Sequence, residues 1–509
     1  MDVLNNLYMG FGVAMTLTNL GYCFIGVLLG TLIGVLPGVG PLVTISMLLP
    51  LTFGMQPVSA LIMLAGIYYG AQYGGSTAAI LVNLPGEASS AVTSLDGYQM
   101  ARRGKAGYAL ATAALASVIA GFIGTLAIAT LGGPLSSWAI KFGAEDYFAL
   151  MLMGLVSATV LSNGDLAKSL GMVVFGLLLG LIGTDVNSGA ERFTFGIPEL
   201  ADGIGFSILA VGLFAVPEVV SNLAQKEQRE VFTSKISGMM MSWPEFKAIL
   251  LPSLRGTTVG GLFGMLPGVG PTVSSFAAYM VEKKVAKDPT RFGEGAVEGV
   301  AGPEAANNAA AQTTFIPTLT LGIPGSATMA LIFGALIMHG IQPGPTVMTR
   351  NPELFWGVVA SMFVGNVMLV ALNLPLVGVW MRLLAVPYRW LFPCIIMFCA
   401  FGNYTVNSNV MDVYVCAAIG VLGYVLAKLD CPPAPMVLGY VLGPMMEEYM
   451  RRALLLSGGD AMVFFRSPLS LFFIASAVLL LISMATPAVR RKKSIAYEED
   501  SDGNAQAKA

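Results

Sequence analysis

The residues with the clearest potential for chemistry lie in two copies of one short phrase. Gly34-Val-Leu-Pro-Gly-Val-Gly-Pro41 recurs as Gly264-Met-Leu-Pro-Gly-Val-Gly-Pro271, 230 positions later when counted from residue 37 to residue 267. Each copy closes a long apolar run. Proline removes a backbone donor, and glycine permits a ligand to approach the backbone closely. The phrases therefore predict a binding site built from interrupted helices.

An interrupted helix leaves free N–H groups at one end and free C=O groups at the other. The N–H end favours a carboxylate or phosphate, and the C=O end suits Na⁺. We expect breaks after Pro37-Gly38, around Gly74-Gly75-Ser76, at Pro85-Gly86, after Pro267-Gly268, at Asn307-Asn308 and at Pro324-Gly325-Ser326. The alternative is that these positions are kinks and packing glycines that bind no ligand.

The candidate ligands are backbone groups and neutral side chains at the expected breaks. For the substrate anion they are Gly38, Gly40, Thr44, Gly75, Ser76, Asn83, Pro85, Gly86, Gly268, Gly270, Thr272, Asn307, Asn308, Pro324, Gly325 and Ser326. For a cation that binds together with the anion, Na⁺ or H⁺, they are Ser46, Glu87, Ser274, Glu304 and Thr318. We predict no catalytic residue, no bound metal beyond the coupling ion and no other cofactor.

Ionisable groups in or beside apolar runs are functional candidates, and we consider four acidic residues. Glu87 and Glu304 lie next to expected breaks and are candidates for cation binding or gating, unless they are solvated in loops. Asp165 and Asp412 each stand at the start of a predicted span. Capping of the helix is the commoner role at such a position, so we favour it there.

Composition places the elements that must position these residues in a membrane. The chain has 509 residues, of which 55% are hydrophobic and 11% charged, whereas soluble domains carry about 25% charged residues. Because a span needs roughly 20 apolar residues, the apolar runs accommodate about eleven to thirteen spans and re-entrant hairpins. We therefore predict an all-α polytopic membrane protein embedded in the lipid bilayer. The net charge of −2 gives no indication of a nucleic-acid partner.

Enzyme activity is the less favoured class. The sequence contains no GxxxxGK[ST] phosphate loop, and its single histidine, His339, excludes a histidine-based metal cluster. Gly164-Asp165 is faintly similar to a membrane aspartyl protease motif, but no partner aspartate with a matching motif is evident. The five cysteines show no metal-ligand spacing.

The duplication extends beyond the opening phrase. Asn83-Leu-Pro-Gly86 pairs with Gly322-Ile-Pro-Gly325, 239 positions later when counted from residue 85 to residue 324. Ser162-Asn-Gly-Asp165 pairs with Asn407-Ser-Asn409, with Asp412 near the place of Asp165. We predict a first repeat over 1–223, a connector over 224–248, a second repeat over 249–459, an extra transmembrane helix within 460–489 and a polar tail over 490–509.

The distribution of basic residues predicts that the two repeats have opposite orientations. The loop with Arg102, Arg103 and Lys105 is basic, while its counterpart near 341–352 carries only Arg350; the loop at 283–291 is basic, while its counterpart near 51–57 is uncharged. Basic loops face the cytoplasm. This places the first loop, the connector and the C-terminus in the cytoplasm, and it leaves Arg451-Arg452 on the outer side as an exception.

Several phrases resemble the large membrane subunit of tripartite tricarboxylate transporters. They are the two Pro-Gly phrases, Tyr69–Gly86, Asp96-Gly-Tyr-Gln-Met-Ala-Arg-Arg-Gly104 and Gly302-Pro-Glu-Ala-Ala-Asn-Asn308, and the likeness runs roughly from residue 10 to residue 486. The resemblance implies a bacterial inner-membrane permease for citrate-like or other small carboxylates, driven by a cation gradient through an elevator-type movement. It also implies a small four-helix membrane subunit and a periplasmic solute-binding protein as partners.

Two other classes remain open at this stage, an anion channel and a non-transporting membrane assembly subunit. A channel shares the composition and the repeats, whereas an assembly subunit tolerates neutral substitutions at the breaks. Only the transporter interpretation requires the breaks to bind solute and cation together. Formation of a homo-oligomer also stays open.

Overall fold

The structure, a computed structural model, describes residues 3–36, 40–161, 165–185, 188–224, 239–266, 268–384 and 388–485. Gly38, which was predicted to bind substrate, lies outside the described residues, as do most of the predicted connector and the whole polar tail.

The described chain is almost entirely helical up to residue 224. Its helices are α1 (Val3–Ala14), α2 (Leu17–Val35), α3 (Pro41–Thr52), α4 (Pro57–Val82), α5 (Ala91–Met100), α6 (Ala106–Ala139), α7 (Ala144–Leu161), α8 (Leu166–Gly180), α9 (Phe206–Ala210) and α10 (Val216–Ala224). Between α8 and α9 lie strands β1 (Gly183–Thr184) and β2 (Glu191–Arg192), an antiparallel pair with Gly183 opposite Arg192. Short 3₁₀ or π turns span Ala88–Ser90, Ala101–Lys105, Pro198–Leu200 and Val211–Ala215.

The remaining described chain is helical as well, with one 3₁₀ turn over Pro289–Arg291. Its helices are α11 (Trp243–Gly264), α12 (Gly270–Val285), α13 (Glu298–Thr313), α14 (Phe315–Thr320), α15 (Ala327–Met338), α16 (Val347–Arg350), α17 (Pro352–Asn373), α18 (Val377–Leu384), α19 (Tyr388–Asn407), α20 (Val410–Lys428), α21 (Pro433–Leu456), α22 (Val463–Arg466) and α23 (Pro468–Ala485).

Five helical segments among the described residues are long and apolar enough to cross a membrane. They are Leu17–Val35, Ala88–Ala139, Phe206–Leu223, Pro352–Asn373 and Val410–Lys428. Five shorter apolar helices accompany them, at Pro41–Thr52, Leu166–Gly180, Ala327–Met338, Ile395–Asn407 and Pro468–Ser483. The prediction of an all-α polytopic membrane protein is confirmed.

The chain forms two compact units, and each unit combines segments from both predicted halves. The first contains Met1–Ile140 and Ile204–Lys428, and the second contains Lys141–Gly203 and Leu429–Ala509. The predicted repeats are therefore not the compact units. Their boundaries and opposite orientations stay predictions.

Glycines let two pairs of helices in the first unit pack backbone against backbone. On α2 the glycines are Gly26, Gly30 and Gly34, which face the backbone of Met63, Ile67 and Ala71 on α4. On α11 they are Gly256, Gly260 and Gly264, which face the backbone of Gly302, Ala306 and Ala310 on α13. A Cβ at any of these glycines would overlap a carbonyl oxygen of the facing helix. Small residues at such interfaces permit the closest approach of membrane helices.

These two contact patterns coincide when the chain is shifted by the offsets found in the sequence. Gly30 and Gly260 are 230 positions apart, and their partners Ile67 and Ala306 are 239 positions apart. The glycines thus follow the offset of the opening phrases, and their partners follow the offset between Asn83–Gly86 and Gly322–Gly325. This agreement supports a duplication.

In the second unit an ion network ties the β1–β2 hairpin to α21. Arg192 contacts both oxygens of Glu447 at 3.0 and 3.1 Å and Asp185 at 2.6 Å. Arg451 contacts Glu447 at 2.6 Å and Asp185 at 3.4 Å. Arg451, part of the exception to the charge rule, therefore has acidic partners within its own unit.

Two of the six expected helix breaks are absent. Helix α4 continues through Gly74-Gly75-Ser76, and α13 continues through Asn307-Asn308. Glycine is tolerated inside α4 because Gly74 packs against the Thr31 carbonyl oxygen of α2, so its lack of a side chain serves packing. Our prediction of half-helix ends at these two positions was wrong.

Two further segments were expected from the sequence to be a polar loop and a capped helix start. The expected polar loop at 102–105 is a π turn that joins α5 to α6, with a kink at Gly104 (φ 76°). Asp165 caps α8, accepting a hydrogen bond from the Ala167 N–H at 2.7 Å, as favoured above.

Candidate solute-binding site

The first break follows α4 at the Asn83-Leu-Pro-Gly86 phrase. Asn83 ends the helix with φ 56°, a left-handed conformation that asparagine adopts more readily than most residues. Gly86 lies so close to α2 that a Cβ would overlap the Gly34 carbonyl oxygen. Because the chain can pass this point only with glycine, the phrase fixes the path of the break.

The second break follows α14 at Gly322-Ile-Pro-Gly325. Gly322 has φ 73°, and Ser326 begins α15 by accepting a hydrogen bond from the Met329 N–H at 3.2 Å. The Gly268 N–H donates to the Gly325 carbonyl at 3.0 Å. The two broken segments of the second half therefore contact each other, as Gly34 and Gly86 do in the first half.

Contacts between the halves bring the two breaks together. The Tyr68 hydroxyl of α4 lies 3.3 Å from the Ser326 hydroxyl. The Ser275 hydroxyl of α12 donates to the Ser89 carbonyl at 2.8 Å, in the turn that follows the first break. A Cβ at Gly270 would lie 3.4 Å from the Ser326 Cβ. Helices α4 and α12 thus link the chain at the first break to the start of α15 after the second.

Several helices begin near these breaks, so their N-terminal turns lie close to them. Helix α3 begins beside Gly40, where a Cβ would lie 4.0 Å from the Gly86 carbonyl oxygen. Helix α12 begins at Gly270, α15 begins after Ser326, and α5 follows the turn that contains Ser89 and Ser90. Helix N-termini carry partial positive charge and favour anions. The arrangement therefore has the chemistry needed to hold a carboxylate.

Glu87 lies within the first break and is held by Gln72. The Gln72 side-chain N–H donates to Glu87 Oε2 at 2.6 Å, and the Ser89 hydroxyl donates to Gln72 Oε1 at 2.7 Å. Gln72 is fully buried. Glu87 is therefore positioned by neighbours rather than free in a loop, and Gln72 is a residue that the sequence analysis did not select.

Glu304 lies in a separate, fully buried cluster. Its carboxylate accepts hydrogen bonds from the hydroxyls of Ser76 at 2.6 Å, Ser117 at 3.4 Å and Thr93. The Asn308 side-chain N–H donates to the Ser117 hydroxyl at 2.8 Å and to the Glu304 backbone carbonyl at 3.0 Å. Ser76 and Asn308, predicted to bind substrate at breaks, thus lie beside Glu304.

Some of the other predicted residues face the first break or the Glu304 cluster, and the rest bond carbonyls within their own helices. Gly75 faces the first break, because a Cβ there would lie 3.2 Å from the Glu87 N–H nitrogen. The Asn307 Oδ1 accepts from the Asn308 Nδ2 at 2.5 Å. Hydroxyls of the remaining predicted residues bond carbonyls of their own helices or helix starts, at 2.7–3.1 Å: Thr44, Ser46, Ser274 and Thr318. The Thr272 carbonyl accepts from Ser275 at 2.9 Å.

Asp96 is a buried carboxylate that the sequence analysis did not treat as a candidate. Its Oδ1 accepts the backbone N–H groups of Gly293, Gly295 and Ala296 at 2.7–2.9 Å. Its Oδ2 accepts from the Tyr279 hydroxyl at 3.0 Å. Asp96 therefore anchors the loop before α13 to α5. The sequence signal that could have identified it is its place as the first residue of the phrase Asp96–Gly104.

The helices and breaks define a polytopic membrane protein with interrupted helices, an arrangement typical of solute transporters. Residues 20–438 match the tripartite tricarboxylate transporter TctA family. The chain belongs to this family of membrane transporter components, as the resemblance of its phrases indicated.

The chain is similar to two uncharacterised proteins of Agrobacterium vitis. It is 54% identical over 500 residues to a 52.8 kDa protein in the TAR-I ttuC' 3' region, covering 98% of this chain and all of the relative. It is 53% identical over 241 residues to a protein in the TAR-II ttuC' 3' region, covering 47% of this chain and all of that relative. No solved structure matches the chain.

Proposed function

We propose that this protein is the large permease subunit of a tripartite, binding-protein-dependent uptake system for citrate-like or other small carboxylates, coupled to a Na⁺ or H⁺ gradient. Membership of the TctA family supports this function. The observation that carries it is the pair of contacts that link the two breaks through α4 and α12, Tyr68 with Ser326 and Ser275 with Ser89. Substrate sites in many secondary transporters lie where interrupted helices of two repeats meet.

In this proposal the carboxylate binds at the paired breaks. Backbone N–H groups at the starts of α3, α12 and α15 hold its oxygens, and Asn83 and Ser326 add side-chain contacts. The favourable charge comes from the helix ends. Glu87 adds negative charge at the first break, so a co-bound cation would offset repulsion between it and the substrate.

The proposal extends to the assembly and its movement. A periplasmic solute-binding protein delivers the carboxylate, and a small four-helix membrane subunit completes the permease in the bacterial inner membrane. The C-terminus lies in the cytoplasm. The part of the chain that carries both breaks moves across the membrane in an elevator-type cycle.

The first test is uptake of labelled citrate into vesicles that contain this chain, its small membrane partner and its binding protein. We expect uptake that saturates with citrate and requires an inward Na⁺ or H⁺ gradient. Other carboxylates would be tested in the same way to define the substrate. Absence of uptake under every gradient and with every carboxylate would contradict the proposal.

The second test asks whether the joined breaks form the site. Tyr68→Phe removes the hydroxyl beside Ser326, and Asn83→Ala removes the side-chain amide at the first break; both should weaken uptake by about tenfold, as for loss of one or two hydrogen bonds. Tyr8→Phe is the matched control, because Tyr8 is 84% exposed on α1. Normal uptake by Tyr68→Phe and Asn83→Ala, with equal membrane insertion, would exclude this site.

Two other outcomes would identify a different class of protein. Non-saturating anion currents without a coupling gradient would indicate a channel. Full tolerance of neutral substitutions at both breaks, combined with loss of assembly when the chain is removed, would indicate a non-transporting assembly subunit.

A further inference from the structure

A small cavity lies beside Glu304 in the first compact unit. Its volume is about 20 Å³, and roughly 10–15 Å³ is needed to hold one water-sized particle. It therefore has room for one water molecule or one small ion. A citrate-like solute is far too large for it, so the cavity is distinct from the proposed carboxylate site.

Oxygen atoms from four helices face this cavity. Its lining includes Tyr73 and Ser76 of α4, Ser117 of α6, Glu304 of α13 and Asn373 of α17. Side-chain oxygens are the ligands that hard cations prefer. Ser76, Ser117 and Glu304 belong to the hydrogen-bonded cluster described above. Thr77 also lines the cavity, and its hydroxyl donates to the Tyr73 carbonyl at 3.4 Å.

The Tyr73 hydroxyl and the Asn373 Oδ1 are buried without a hydrogen-bond partner. Tyr73 and Asn373 are only 4% and 7% exposed. The Asn373 amide nitrogen donates to the Leu369 carbonyl at 2.9 Å, which assigns the unpaired atom as the oxygen. A buried polar atom without a partner costs about 1–3 kcal/mol. Two such oxygens on the wall of one small cavity indicate an occupant that they bind.

Charge distinguishes a cation from a water molecule as that occupant. In the described part of the chain, the cavity lining contains no lysine, arginine or histidine to neutralise Glu304. A buried carboxylate without a compensating charge is strongly disfavoured. A water molecule would pair the two free oxygens but leave Glu304 to be neutralised by a proton, whereas a bound cation would both pair the oxygens and compensate the carboxylate.

We propose that the cavity beside Glu304 is a Na⁺ site, with oxygens of Glu304, Ser76, Ser117, Tyr73 and Asn373 as ligands. This inference rests on the proposed function, in which the ion is the coupling cation. It also divides the predicted residues into two sites. The paired breaks hold the carboxylate, and Glu304 holds the cation.

One turn of α4 connects the two sites. The Ser76 hydroxyl shares its single proton between Glu304, at 2.6 Å, and the Gln72 backbone carbonyl, at 3.0 Å. The Gln72 side chain in turn donates to Glu87 in the first break at 2.6 Å. Occupancy of the cavity can therefore affect the geometry of the first break through a continuous set of contacts.

The test measures thermal unfolding of the purified full chain in detergent, with NaCl or KCl at equal ionic strength and without carboxylate or partner proteins. A ligand that binds only the folded state raises the unfolding temperature. We expect NaCl to raise it above the value in KCl in a saturable manner. Glu304→Gln should abolish this difference, and Tyr73→Phe should raise the half-saturating NaCl concentration about tenfold or more.

Asn373→Ala and Asn366→Ala form a matched pair. Both asparagines are buried on α17, both donate to a carbonyl one turn earlier, and both have an unpaired Oδ1, but only Asn373 lines the cavity. Asn373→Ala should weaken the Na⁺ effect and Asn366→Ala should retain it. This pair and Tyr73→Phe keep the test valid if Glu304→Gln does not fold.

Two results would overturn the Na⁺ site. One is an equal response of the wild-type chain to NaCl and KCl; the other is an unchanged Na⁺ response in Tyr73→Phe and Asn373→Ala. Failure of the proposed transport function is a different result. Saturable Na⁺ stabilisation that depends on Asn373, together with no carboxylate uptake by the complete assembly, would retain the cation site and reject the transport proposal.

Discussion

The packing of α2 on α4 and that of α11 on α13 follow one pattern, but the polar side chains on these helices do not. Gly30 and Gly260 occupy equivalent positions against the facing backbone. In contrast, the position equivalent to Glu304 is Ala65, and the position equivalent to Gln72 is Ala311, when the offset of 239 is applied. The comparison indicates that the repeated helix packing sets the path of the backbone. The chemistry comes from polar residues that are present in only one of the two halves.

The largest expected effect tests the shared packing. Gly30→Ala and Gly260→Ala each place a Cβ against a carbonyl oxygen of the facing helix. Overpacking against rigid backbone should destabilise the protein by about 3 kcal/mol or more. We expect strongly reduced yield and a lower unfolding temperature in detergent for both variants.

Gly21→Ala is the control for these two variants. Gly21 lies on the same helix as Gly30, but a Cβ there would meet no atom within 4 Å. It should leave the unfolding temperature unchanged or raise it slightly, because alanine is a better helix former than glycine. Equal effects of Gly21→Ala and Gly30→Ala would contradict the role assigned to the packing glycines.

The next prediction compares the glycines at the two breaks. A Cβ at Gly86 would overlap the Gly34 carbonyl oxygen, whereas a Cβ at Gly325 would lie 3.1 Å from the Thr314 Cγ2 and 3.3 Å from the Gly264 carbonyl oxygen. Gly86→Ala should therefore lower stability by about 3 kcal/mol, as at Gly30, and Gly325→Ala by about 1 kcal/mol. Unfolding temperatures of the two variants measure this asymmetry, and a larger loss in Gly325→Ala would reverse the comparison.

A smaller loss of stability is expected at Asp96, whose hydrogen bonds have no equivalent in the other half. Asp96 binds three backbone N–H groups and the Tyr279 hydroxyl, while the equivalent position is Ala335. Asp96→Asn keeps one acceptor oxygen but loses the charge that strengthens its bonds. We expect a loss of about 1–2 kcal/mol in stability to unfolding.

The exposed Asp288 provides the control for Asp96. Its carboxylate accepts from the Thr290 N–H at 3.1 Å at the start of a short turn. Asparagine serves nearly as well as aspartate in such a capping position. Asp288→Asn should therefore leave the unfolding temperature almost unchanged. A comparable loss in both variants would mean that burial of Asp96 contributes nothing specific.

Proline and glycine explain why some of the site was predictable from sequence. The breaks at Pro85-Gly86 and Pro324-Gly325 occur where the sequence places them, because proline cannot continue the hydrogen-bond ladder and Gly86 alone fits beside Gly34. Gly74, which has no proline beside it, was also expected at a break but packs inside a continuous helix. Local sequence does not distinguish a glycine that breaks a helix from one that accommodates a neighbour.

The cluster around Glu304 was only partly predictable for a different reason. Glu304 itself was selected as an acidic residue near a break, but Thr93 and Ser117 lie in segments whose hydroxyls give no distinctive pattern. Their contacts with Glu304 arise because the consecutive helices α5 and α6 pack against α13, where Glu304 lies 211 residues from Thr93 and 187 from Ser117 in sequence. The packing of the helices decides which hydroxyls converge.

The smallest predicted effect tests the link between the two breaks. Ser275→Ala removes the hydroxyl that donates to the Ser89 carbonyl at 2.8 Å, while the equivalent position in the first half is Ile45. The loss should be about 1 kcal/mol, typical of one hydrogen bond. Ser253→Ala is the control, since its buried hydroxyl bonds only its own helix, at the Ile249 carbonyl. If thermal unfolding shows equal losses in both variants, Ser275 contributes no stabilising link between the breaks, and their union depends on Tyr68 and backbone packing alone.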